Sequence, residues 1–136
     1  MHYINPKSTA ACIIVKNKKV LLIKRKDNPF IGYWSLPGGH IELFERAEHT
    51  IKREIKEELG LIIKPKFFCI NQEIFKNVGW HATVFAFTSS KLSGNLKIKK
   101  KEIGGAKFFS RAEIKNLKMG FNHKDIINDF FKHAKH

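Results

Sequence analysis

Cysteine is nearly absent from this chain: Cys12 and Cys69 are the only two among 136 residues. They form no Cys-x-x-Cys pair, and each sits in apolar surroundings. That excludes a disulfide framework or a thiolate metal centre and leaves two buried free thiols in a reducing compartment. No apolar run approaches the ~20 residues that a membrane-spanning helix needs. Met1-His2-Tyr3-Ile4-Asn5-Pro6 lacks the charged-then-apolar layout of a signal peptide, so a cytoplasmic protein without a membrane partner is expected. Prolines number only 4, and no linker, repeat or low-complexity segment divides the chain. Residues 1–136 are therefore expected to form one domain, burying about two thirds of the unfolded surface.

Acidic residues are scarce as well, 12 against 26 lysines and arginines, for a net charge of +14. Lysine supplies most of that excess. Isoleucine, asparagine and phenylalanine are also abundant, so biased composition accounts for part of it. Glu42, Glu45, Glu48, Glu54, Glu57 and Glu58 make up half of the 12 acids. The chain reads as an acidic patch on a basic background, and a basic rim around a metal-binding centre would steer polyphosphates toward it. Basic clusters interleaved with aromatics at base-stacking spacing are missing, which argues against a nucleic-acid partner.

What is present reads as alternating strands and helices. Residues 8–15 and 20–25 form two β-rich runs around a polar turn, which predicts a hairpin. Trp34-Ser35-Leu36 suggests a short strand, with Pro37-Gly38-Gly39 turning the chain toward a helix. Leu61 to Glu73 reads as a strand interrupted near Pro65, Trp80 to Thr88 as a clear strand, and Ala106 to Ser110 as the last one. Residues 89–101 read as a polar connection. Ser110 caps a short helix with Glu113 at the capping-box position. Asn122 opens a final helix with Ile126, Ile127, Phe130 and Phe131 inward. This is a mixed α/β order.

The central helix carries the chemistry. Phe44, Ala47, Ile51, Ile55 and Leu59 recur at helical spacing, predicting an amphipathic helix of about 16 residues that stops at Gly60. Glu54, Glu57 and Glu58 sit at i, i+3 and i+4, on neighbouring positions of one face. They lie in the last turns, where the helix dipole disfavours negative charge. A solvated face tolerates such a cluster; a hard divalent cation gives it a purpose.

From Gly39 through Glu45 and Arg53-Glu54-Ile55 to Glu57-Glu58, Gly60 and Leu61, the stretch resembles the Nudix hydrolase signature at every defined position. Leu21-Leu22-Ile23-Lys24-Arg25 is similar to the family's preceding strand. Pro29 to Gly39 is similar to the approach in ADP-ribose pyrophosphatases. The resemblance implies an α/β/α sandwich with a mixed central sheet and a loop-helix bearing the site. It also implies divalent-metal hydrolysis of a nucleoside diphosphate linked to another group, with Mg²⁺ or Mn²⁺ as cofactor.

Carried onto this sequence, the resemblance makes Glu57 and Glu58 metal ligands and Glu54 a third ligand or the base. The Gly39 carbonyl is a further ligand. Arg53 joins the catalytic group through an ion pair with Glu45. Glu102 is either another ligand or base, or an exposed acid beside Lys99-Lys100-Lys101. Arg25 is a phosphate contact, with Gly38 and Gly39 forming the substrate-facing approach. Trp34 and Trp80 could stack a base or simply pack. Asn122 could read a purine edge, though helix capping would also explain it. No histidine has metal-ligand spacing.

The small-molecule substrate is expected to be ADP-ribose-like. A (d)NTP pyrophosphohydrolase of the MutT, 8-oxo-dGTP type is the enzymatic alternative. A non-catalytic nucleotide sensor or nucleic-acid-binding regulator is the other. Phe67, Phe68 and Phe75, if exposed, would suit a homodimer.

Overall fold

The computed structural model describes residues 5–99, 101 and 103–133. Its axis is β1 (Lys7–Lys16), in which Cys12, Ile13 and Ile14 are all fully buried. Successive side chains of a strand point to opposite faces, so a continuous buried run means that both faces are covered. Asn17 and Lys18 turn in the left-handed region, and β1 pairs antiparallel with β2 (Lys19–Arg25) through Val15–Val20 and Lys16–Lys19. The expected hairpin is present.

β3 (Trp34–Ser35) pairs with β2, and β4 (Gly38–His40) returns to β1 by matching Ala10 with Gly39 and Ala11 with Gly38. α1 (Ala47–Leu59) follows, then β5 (Leu61–Ile63), β6 (Lys66–Phe75) and β7 (Trp80–Ser89). β8 (Leu92–Gly94), β9 (Ile103–Ser110), α2 (Arg111–Lys115) and α3 (His123–His133) complete the order. β7 runs parallel to β1, β6 is antiparallel at the edge, and β9 flanks β2. The result is a mixed seven-stranded sheet, with β5 and β8 paired separately.

Two apolar layers sandwich that sheet. Cys12, Ile14, Leu21 and Ile23 face Ile51, Ile55 and Leu59 of α1. Ala11, Ile13, Val20 and Leu22 face Ile114 of α2 and Ile126 and Ile127 of α3. The alternation along β1 and β2 thus builds both halves of an α/β/α sandwich. Among the described residues no helix is long and apolar enough to cross a membrane.

Several expectations need correction. Phe44 is 97% exposed at φ 67° in the loop before α1, so the helix has 13 residues and its buried stripe begins later. The polar connection contains β8, and Gly38-Gly39 is strand rather than turn. Phe68 packs on Phe130 and Phe75 on Phe30, leaving Phe67 the one exposed member of the three, and it too meets a ring, Phe87. The capping box is formed: Ser110 Oγ accepts from Glu113 N, and Glu113 Oε1 accepts from Ser110 N.

Candidate active site

β4 lays the glycines of residues 38 and 39 flat against β1, and α1 crosses directly above them. A Cβ on Gly39 would collide with the carboxylate of Glu54. The glycine therefore leaves the room in which the Glu54 carboxylate sits. At the other end, Gly60 adopts φ 69° and donates its N–H to Lys56 O, closing α1 where the acidic cluster ends.

Arg53 organises that cluster. Its Nε donates to Glu45 Oε2 at 2.7 Å and its Nη2 to Glu45 Oε1 at 2.9 Å, a two-point pair. Its Nη1 donates to Glu54 Oε1 at 3.0 Å and to Glu57 Oε2 at 3.3 Å. The buried Thr50 hydroxyl adds a 2.7 Å bond to Glu45 Oε1. Hydrogen bonds from Arg53 first, and from Thr50 next, hold the Glu45 carboxyl down to about 2. Those to Glu45 push the Arg53 guanidinium up, so both stay charged.

The three glutamates of the cluster differ in setting. Glu58 is buried, Glu54 has a side chain only 16% exposed, and the Glu57 side chain is 53% exposed. Glu54 and Glu58 line a cavity of about 470 Å³ together with Gly38 and Gly39. Hard carboxylate oxygens beside a glycine cradle fit a divalent cation such as Mg²⁺ or Mn²⁺. Among the described residues no three acidic, histidine or cysteine side chains converge as a ready cage, and Glu57 accepts a hydrogen bond from Arg53.

The rest of the cavity includes Arg25 and an aromatic wall. Arg25 donates from Nε to Pro29 O at 2.7 Å, and its guanidinium carbon lies 4.7 Å from the Phe121 ring centre. Burial lowers its pKa, yet an arginine at a phosphate-sized cavity remains charged. Trp80, Phe121, His123 and Glu73 also line the wall. Glu73 is fully buried, and its Oε1 accepts from Trp80 Nε1 at 2.9 Å.

A family model for the NUDIX domain matches residues 6–130 of the chain. The chain belongs to the Nudix hydrolase family. It is 38% identical over 132 residues to an ADP-ribose pyrophosphatase of Methanocaldococcus jannaschii, an alignment covering 96% of this chain and 76% of that protein. The crystal structure of a MutT NUDIX hydrolase from Burkholderia pseudomallei superposes with a TM-score of 0.79 at 28% identity, covering 91% of this chain and 95% of that one. The NUDIX domain of Shewanella oneidensis NrtR, solved with ADP ribose, has the same fold with a TM-score of 0.85 at 20% identity, over 98% and 91% of the two chains. Nudix hydrolases generally use divalent metal ions and act on small nucleotide substrates.

In this Nudix hydrolase the expected residues separate into groups. Gly38, Gly39, Glu54, Glu58 and Arg25 meet at one cavity, with Arg53 and Glu57 beside it. Trp34 does not join them: its ring packs on Phe109 at 4.8 Å, in the layer under α3. Asn122 Nδ2 donates to Gln72 O, tying the start of α3 to β6. Glu102 lies outside the described residues.

Glu73, Phe121 and His123 had not been singled out as site residues. β6 carried a signal for Glu73: Ile70 and Ile74 are exposed while Asn71 and Glu73 turn inward, the reverse of the usual pattern. An inverted alternation on one strand marks polar groups placed inside for a reason. Phe121 sits at φ 56° in the segment before α3, a conformation that its neighbours do not announce.

Proposed function

We propose that this Nudix hydrolase cleaves ADP-ribose with Mg²⁺ or Mn²⁺, giving AMP and ribose 5-phosphate. The observation that carries this is the single cavity uniting the glutamates of α1, Arg25 and an aromatic wall. Its volume of about 470 Å³ lies in the range of small-ligand sites. The likeness to an ADP-ribose pyrophosphatase across 96% of the chain supports the same substrate.

Glu57, Glu58 and the Gly39 carbonyl would hold the cation, which would supply charge neutralisation and a readily deprotonated water. Water oxygen joins one phosphorus, the P–O–P bridge breaks, and the bridging oxygen leaves with the other phosphate. Glu54 takes up the water's proton: Arg53 fixes its Oε1, and the carboxylate faces the cavity. Arg25 stands where the diphosphate would lie. Arg53, anchored on Glu45, keeps Glu54 and Glu57 from drifting apart through repulsion.

The test is a panel of ADP-ribose, NADH, dinucleoside polyphosphates, GDP-mannose and the (d)NTPs, ranked by kcat/KM with either metal. ADP-ribose is expected to lead. A (d)NTP ahead of it tenfold, a gap of about 1.4 kcal/mol, would move the assignment to the MutT type. Tight binding without hydrolysis would point to a sensor. Excess chelator should abolish turnover, and Glu58→Gln should slow it roughly 10²–10⁴-fold through several kcal/mol of lost charge stabilisation.

A further inference from the structure

The wall opposite the helix contains an arrangement that the hydrolytic chemistry does not need. Glu73 is 1% exposed, and burying a carboxylate among apolar groups is costly unless something is gained. Its Oε1 accepts the Trp80 indole N–H at 2.9 Å. Its Oε2 lies 3.1 Å from His123 Nε2 but out of line with that ring N–H, and it has no hydrogen-bond partner. His123 is itself fixed from behind, since its Nδ1 accepts the Leu36 N–H at 3.0 Å. A neutral residue could join β6 to β7 as well. What the carboxylate adds is a firm grip on the angle of one indole.

That indole is half-buried at the cavity wall. It opens β7, five residues before Phe85, the neighbour of Ala10 and so of the Gly39 row. The ring therefore lies along the cavity from the carboxylates of α1. Its aromatic neighbours meet it tilted or edge-on: Phe121 at 5.2 Å and 50°, His40 at 6.2 Å and 64°. Among the described residues no aromatic ring lies parallel on it. Lys7 Nζ lies over one face of the ring, 5.8 Å from its centre, so a stacked base takes the other face or displaces that flexible side chain.

We propose that Trp80, oriented by the buried Glu73, is the platform on which the base of the nucleotide stacks. This rests on the reading that the cavity holds a nucleoside diphosphate, and it assigns the two ends of that ligand. The base goes to Trp80 and the diphosphate to Arg25 and the glutamates. Trp80 binds the base alike in ground and transition state, so it contributes to KM rather than to kcat. Glu73 is a positioning residue that acts through the indole.

The chain has 2 tryptophans, which makes a direct readout available. Trp34 packs on Phe109 and does not line the cavity, so Trp34→Phe leaves Trp80 as the sole indole reporter. In that protein, with chelator present to prevent turnover, AMP is expected to quench the emission saturably and ribose 5-phosphate to leave it unchanged. Trp80→Leu should raise KM for ADP-ribose about tenfold with kcat changed less than about threefold, and Trp80→Phe should recover much of the loss.

Glu73→Gln keeps only a neutral acceptor for the indole, so it should raise KM, though less than Glu73→Leu does. Glu73→Leu should shift the Trp80 emission and raise KM together. An emission indifferent to AMP, or an unchanged KM in Trp80→Leu, overturns the proposal. If ADP-ribose is cleaved while AMP leaves Trp80 silent, the platform falls and the reaction stands. If AMP quenches while no diphosphate is cleaved, the platform stands and the substrate assignment falls.

Discussion

All three guanidinium nitrogens of Arg53 meet carboxylates, and that one side chain explains how the acidic cluster exists without repelling itself apart. Two of the nitrogens fasten the loop carboxylate of Glu45 to the helix, and the third holds Glu54 and Glu57. A pH prediction follows. Glu45 has its pKa lowered from 4.5 to about 2, chiefly by the Arg53 hydrogen bonds. A carboxyl with a depressed folded-state pKa stabilises the fold fully above the unfolded value. It loses that contribution as pH falls through the folded value. The Tm gap between wild type and Glu45→Gln should therefore be constant above the ordinary value of 4.5 and close as pH drops toward 2. A gap that widens in acid would mean that Glu45 is not the group held down. Hydrolysis in Glu45→Gln should fall far less than in Glu58→Gln, since Glu45 touches supporting groups: Arg53, Thr50, the Glu42 N–H and His49.

The elements show what was legible in the sequence and what was not. β7 and α1 announced themselves through a period that burial of one face enforces, and β1 and β2 through continuous apolar runs, the mark of strands covered on both faces. Phe44 was misread because its spacing continues the stripe of α1 backward into a loop. Periodicity carries no information on where the backbone leaves the helix. β8 is too short to show any period, and its pairing with β5 comes from tertiary contact. Trp34 and Trp80 looked equivalent as strand-end indoles; only the pleat decides that one enters the α3 layer and the other the cavity. Phe44 also yields a prediction. An exposed aromatic at φ 67° carries left-handed strain of roughly 1–2 kcal/mol, and glycine there would cost about 0.5–1 kcal/mol in unfolded-state entropy. Phe44→Gly is thus expected to hold or slightly raise Tm in a thermal melt. A clear fall would show that Phe44 contributes contacts that its 97% exposure hides.

For the molecule as a whole, the charge distribution is the remaining physical fact to connect with function. The chain carries +14, yet half of its 12 acids lie between Glu42 and Glu58, at or beside the cavity. A phosphate-bearing substrate approaching at distance meets a positive field, with Arg25 on the cavity wall to receive it. Charges of one sign over a surface raise encounter rates by about 10–10³ at low ionic strength. Salt shortens the reach of that field, from a Debye length of ~10 Å at 0.1 M to ~3 Å at 1 M. Going from about 0.05 M to about 0.5 M KCl, at saturating metal, should lower kcat/KM for ADP-ribose about tenfold. The same change should leave kcat nearly constant, because the hydrogen bonds of Arg53 and the contacts inside the cavity are short and poorly screened. Measuring both parameters separates the outcomes. A loss confined to kcat/KM assigns the lysines to steering, whereas a parallel loss in kcat would locate the salt effect at the glutamates themselves. A flat kcat/KM would make the basic surface a matter of composition alone, with the cavity finding its substrate by ordinary diffusion.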